Sequence, residues 1–143
     1  MTGLDDPGES ADVHEDPHET ATLNTLRDIS RAMVRLYKEQ FGRGPETVST
    51  HYSGPDIIVS ILGNSLTPVE RSMRDLGKHQ SLRDIRVMFQ HATEPQFREA
   101  VERITERRVI GFMSGIDVEH DLSSEVFTLE PAPAPSQAGS LPT

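Results

Sequence analysis

A chain of 143 residues with 23 acidic and 14 basic side chains carries a net charge of −9 and no cysteine. That length holds one domain with extensions. The missing cysteine excludes disulfides, a thiol nucleophile and Cys-ligated zinc or iron–sulfur centres, and no run approaches the ~20 apolar residues of a membrane span.

The charge is unevenly placed. Residues 1–20 hold seven acids (Asp5, Asp6, Glu9, Asp12, Glu15, Asp16, Glu19), with Pro7, Gly8 and Pro17 and no Lys or Arg. Leu4 and Val13 offer too little apolar surface to offset the entropy of ordering, so this segment is expected to be a disordered acidic tail. It has no basic n-region and no apolar h-region, so no secretory signal is expected and the default location is cytoplasmic. Between 21 and 130 there are 16 acids and 14 bases, a net of −2. Such a domain lacks the concentrated basic footprint of a nucleic-acid binder.

The first helix is strongly marked. Leu26, Ile29, Met33, Leu36 and Tyr37 recur at helical spacing, and Phe41 continues the stripe. Gly42 and Gly44 end it and Pro45 prevents its resumption. These glycines follow a helix rather than a strand, so they read as a cap and not as a phosphate loop. A second stripe on this helix is basic: Arg27, Arg31, Arg35 and Lys38.

A hairpin follows. Residues 46–52 alternate Val48, Thr50 and Tyr52 against Thr47, Ser49 and His51, and Ser53-Gly54-Pro55-Asp56 is turn chemistry. The run 57–62 is nearly all apolar, as in a strand buried on both faces. In so small a domain, a second copy of the chain is expected to cover one of those faces.

Thr67, Pro68 and Glu70 form a helix start with a capping box, and that helix is expected to end near Gly77. Ser81 and Asp84 start another, expected to bury Leu82, Ile85, Met88 and Phe89. Pro95 predicts a break or kink near 93–94, after which Phe97, Ala100, Val101 and Ile104 continue a helical face. The last strands are expected at 108–115 and 124–130, joined by an acidic, polar link. Pro131 closes the domain, and APAPSQAGSLPT is expected to be a disordered tail from 132 to 143.

The fold expected is α+β. A four-stranded, mainly antiparallel sheet packs with the long first helix and a two- to three-helix segment, in the order α-β-β-α-α-α-β-β, over residues 21–131.

Three pieces of this block resemble the MpsC-like domain family: ISRAMVRLYKEQFGRGPETV (29–48), IIVSILGNSLTPVERSM (57–73) and AVERITERRVIGFMSGIDVEHDLSSEVFTLEP (100–131). That family is named for the third component of a proposed sodium-translocating, membrane-potential-generating system. The resemblance implies a small cytoplasmic domain linked to membrane proteins that handle sodium or inorganic carbon. It supplies no catalytic motif and therefore no residue roles.

Candidate chemistry is sparse. His14 and His18 are four apart among acids, but Pro17 lies between them. Asp117, Glu119 and Asp121, with His120, alternate as hard-cation ligands can, yet they lack the EF-hand pattern and read first as a solvated link between strands. His51 could act as a base or be an ordinary strand residue. No cofactor, metal or catalytic set is expected, and the chain is expected to be non-enzymatic.

The expected contact residues for a protein partner are Arg27, Arg31, Arg35 and Lys38 on the first helix and Arg71 and Arg74 on the second, where Lys78, Arg83 and Arg86 extend the basic patch. That partner would be an integral membrane transporter component, with the chain peripheral to the membrane through it. The alternative is a sensor that binds a small anion or metabolite on the same Arg-lined surface. The acidic N-terminal segment could also fold back over the first stripe.

Overall fold

The computed structural model describes residues 16–133. Helix α1 spans Pro17–Phe41. The Asp16 carboxylate accepts from the His18 N–H and Pro17 occupies the first turn, which together make a helix start. Residues 17–20, read from sequence as tail, are thus helical. His14 and the rest of 1–15 lie outside the described residues, as do 134–143 of the C-terminal segment. At the other end Gly42 adopts φ 76° and its N–H donates to the Lys38 carbonyl at 2.9 Å. The glycine is a left-handed helix cap, as its position predicted.

Strands β1 (Thr47–Tyr52) and β2 (Ile57–Gly63) form an antiparallel hairpin. Helix α2 (Pro68–Asp75) opens with the full capping box between Thr67 and Glu70. Helix α3 (His79–Thr105) is followed by β3 (Val109–Asp117) and β4 (Leu122–Leu129). The sheet is four-stranded and antiparallel throughout, in the order β1-β2-β4-β3. The link between the last two strands is shorter than expected. Asp121 turns the chain at φ 51°, and its buried carboxylate accepts from the Ser65 and Leu66 N–H groups.

The expected helix from 95 onward is the continuation of α3, which runs through Pro95 as one element. Pro95 and His91 are both exposed, so the carbonyl that loses its partner can turn to water. Packing on both sides holds the helix together: Leu82, Arg86 and Gln90 are buried before the proline, and Phe97, Ala100 and Val101 after it.

Helices α1 and α3 cover one face of the sheet. Their Ile29, Met33, Tyr37, Phe97 and Val101 meet Ile58, Leu62, Phe127 and Leu129 in one core. The other face is open. Strand β2 is internal in the sheet, but Ile57 and Ile61 remain 36% and 40% exposed. Its two-sided apolar pattern is therefore covered once, not twice, within a single copy.

The largest departure from expectation is the rotation of α3. Ile85, Met88 and Phe89, expected in the core, are 38%, 62% and 40% exposed, while Arg86 is completely buried. The Arg86 guanidinium forks onto Glu70 (Nε–Oε2 2.5 Å, Nη2–Oε1 2.6 Å), donates to the Ser65 carbonyl at 3.2 Å, and lies 3.7 Å from the centre of the Phe41 ring. It clamps α2 to α3 and is no part of a solvated basic patch. Burial pushes the Glu70 carboxyl up, but hydrogen bonds from Arg86 and the Thr67 N–H outweigh this and hold it below its ordinary value.

Removing one member of a buried pair strands the other. Arg86→Met is therefore expected to lower unfolding stability by about 3–5 kcal/mol, measured by urea denaturation. Adding Glu70→Leu should recover part of that loss; equal losses in the single and double variants would show that the pair does not act as a unit.

Candidate functional site

The covered face of the sheet is not wholly apolar. Strand register places Thr50 opposite Ser60, Ser60 opposite Glu125, and Glu125 opposite Ser114. A polar row thus crosses all four strands beneath the helices. Ser30 on α1 shares a hydrogen bond with Thr50 (2.7 Å), and Thr50 shares one with Ser60 (2.8 Å). At the row's centre the Tyr37 hydroxyl donates to Glu125 Oε1 at 2.6 Å, and Gln90 Nε2 approaches the same oxygen at 3.5 Å.

Glu125 is wholly buried. Loss of hydration pushes its carboxyl up to about 7, against the smaller opposing effects of Ser114, Tyr37 and Arg86. Burial, with Glu125 beside it, likewise raises the Tyr37 hydroxyl well above its usual range. Glu125 Oε2 and Ser114 Oγ are both buried and have no hydrogen-bond partner in the described geometry. A protonated carboxyl supplies a donor for its surroundings. Outside this network lies a small depression of about 80 Å³, lined by Val87, Gln90, His91, Glu94, Phe112 and Ser114. Gln90 and Ser114 stand between it and the carboxyl. The arrangement can hold and release a proton near neutrality inside the core.

The surface residues expected to contact a partner are divided between elements. Arg27, Arg31, Arg35 and Lys38 are exposed along one stripe of α1. Arg31 has Asp28 at 4.0 Å and Arg35 has Glu39 at 3.9 Å. Arg71 and Arg74 lie on α2, which packs on α3, and Arg74 has Asp75 at 3.5 Å. The two groups do not converge on one point.

The acidic residues of the β3–β4 link separate in the same way. Asp117 pairs with His120 (2.9 Å), Glu119 with His79 (2.7 Å), and Asp121 binds backbone. Hydrogen bonds from His120 and His79 hold the Asp117 and Glu119 carboxyls below their ordinary values. Among the described residues no three His, Cys, Asp or Glu side chains gather as a metal site.

A family model described as Na+-translocating membrane potential-generating system (MpsC) matches residues 22–131. The chain belongs to the MpsC family. Its matched region takes in nearly all of α1 and every later element. No match was found among curated proteins or among solved structures. No helix among the described residues is long and apolar enough to cross a membrane.

Within the MpsC domain sequence reasoning missed the polar core of Gln90 and Glu125, counted Tyr37 only as an apolar-stripe residue, and placed Arg86 in the surface basic patch. Glu125 lies in the middle of β4, where period-two alternation aligns it with Ser123, Phe127 and Leu129. That parity was the available signal.

Glu125 holds its proton in the folded state between its ordinary value of 4.5 and about 7, whereas the unfolded chain releases it. The stability that Glu125 contributes should therefore be full below the lower value, fall across this window, and level off above it. The total loss is about 3 kcal/mol. Glu125→Gln keeps the shape without the titration, so its stability should lose this slope and match or exceed the parent at pH 8. An unchanged slope in urea titrations across the window would contradict the assignment.

Proposed function

We propose that this MpsC domain is a non-enzymatic accessory or regulatory domain. It works paired with a second copy of itself and binds a protein subunit of a sodium-handling membrane system. The observation that carries this reading is the outward apolar surface of the helical layer. Because Arg86 and Gln90 take the inner positions of α3, Ile85 and Met88 are left outside; Val69 on α2 and Leu76, which caps that helix, are 71% and 75% exposed. Large apolar groups gathered on helices at a surface mark a protein contact.

The same layer also carries basic residues, with Arg71 on α2, Arg83 on α3 and the Arg27–Lys38 stripe on α1. The fitting occupant is an apolar segment flanked by carboxylates on the inner side of a membrane protein. The family's name supports the sodium system as its source, and the chain itself would be cytoplasmic and peripheral.

The test is affinity capture with the tagged full chain from detergent-extracted membranes. One integral membrane protein should be recovered by the parent, greatly reduced by Leu76→Asp with Met88→Asp, and weakened in a salt-dependent way by Arg27→Glu, Arg31→Glu and Arg35→Glu together. Recovery unaffected by the Asp pair would overturn the assigned surface.

A further inference from the structure

The open face of the sheet carries a self-complementary relief. Residues on this face align in rows across the strands. One row is His51, Val59, Val126, Met113; the next, two residues along, is Ser49, Ile61, Ser124, Gly115. Ile57 lies beyond the first row and Leu122 beyond the second. Met113 is 64% exposed and Leu122 45%. There is no Lys or Arg in either row, and Asp117 sits at one corner.

Met113 stands up from the sheet, while Gly115 has no side chain. Beside Gly115 is a depression of about 250 Å³ whose lining includes Ile61, Leu122 and Ser124. A Cβ at Gly115 would meet only Ser124 Oγ, at 3.4 Å, an ordinary contact. The chain's own packing therefore does not require glycine there. A glycine within a strand weakens it and often marks close approach by another molecule.

Knob and hollow sit on one strand, either side of the line between the two rows. A two-fold axis along that line, running across the strands in the plane of the face, sets each copy's Met113 over the other's Gly115. It also sets Val59 over the other copy's Ile61. Such an interface is isologous and closes on itself. It keeps the strands of the two copies aligned, as in stacked sheets about 10 Å apart.

Four strands about 4.8 Å apart and about seven residues long give a flat footprint of roughly 440 Å² per copy. Two copies supply about 900 Å² before side-chain relief is counted, close to the ~1,000 Å² at which specific interfaces begin.

We infer that the open sheet face is the dimer interface, with Met113 of each copy seated over Gly115 of its twin. This deepens the pairing proposed above and rests on it. The outer helices stay free for the other partner.

The test is sedimentation equilibrium of the purified full chain at micromolar concentrations. The expected mass is twice 15.9 kDa. Met113→Asp places a charge at the knob and should raise the dissociation constant about 100-fold or more, with circular dichroism unchanged because the residue is exposed.

The natural absence of cysteine permits a second readout. Met113→Cys mixed with Gly115→Cys should form a disulfide between copies faster than either variant alone. A monomeric parent would overturn both the pairing and the face. A dimer that ignores Met113→Asp and shows no preference for the mixed disulfide would retain the pairing and overturn this face.

Discussion

The contact on which the rest of this domain depends is that of Tyr37 and Gln90 with Glu125. It brings a side chain from each covering helix onto one carboxyl in the middle of the sheet. A wholly apolar core would accept either helix in several rotations, because the hydrophobic effect is non-directional. A hydrogen bond to a buried acid accepts few. On α3 this anchor and the Arg86–Glu70 fork, one turn apart, set the rotation together. With Arg86 and Gln90 inward, Leu82 and Phe97 follow them, and Ile85 and Met88 are left outside.

The outer apolar surface is therefore a consequence of the inner polar one. Desolvating Glu125 is costly, and the raised proton affinity of its carboxyl is how the core avoids a buried charge. Arg86 solves the opposite problem. It cannot lose its proton, so it takes Glu70 as counter-ion and the Phe41 ring as a face. Each helix meets the sheet through an apolar stripe interrupted by polar contacts of defined direction.

Much of this architecture was legible in the chain. The helical spacing from Leu26 to Phe41, the Gly42 cap, the Thr67–Glu70 capping box and the alternation of 47–52 are local signals, and each element stands where they put it. The α3 rotation was not legible, because periodicity counts Ile85, Met88 and Phe89 as inward and has no means of ranking a buried arginine above them. Its justification lies 16 residues away, at Glu70. Similarly, Asp117, Glu119 and Asp121 looked like one cluster because they are close in sequence. The turn at Asp121 sends each to a different partner. Pro95 marks a lost hydrogen bond but not a helix end, since burial on both sides of it outweighs that loss. The apolar run of β2 reads as buried on both faces, but the folded sheet covers only one of them and leaves Ile57 and Ile61 exposed.

One inner constraint thus shapes two outer surfaces: the helical face proposed to meet a protein partner, and the sheet face proposed to meet a second copy. The central claim is that Glu125 is a neutral, buried acid anchoring both helices. The most direct measurement is a nuclear magnetic resonance titration of the glutamate side-chain carboxyl carbons, with Glu125 assigned by its substitution with Gln. The account predicts a midpoint near 7 for Glu125, with Glu70 titrating below its ordinary range. A Glu125 midpoint in the ordinary carboxylate range would mean that the acid is solvated, and the contact that orients α3 would not exist.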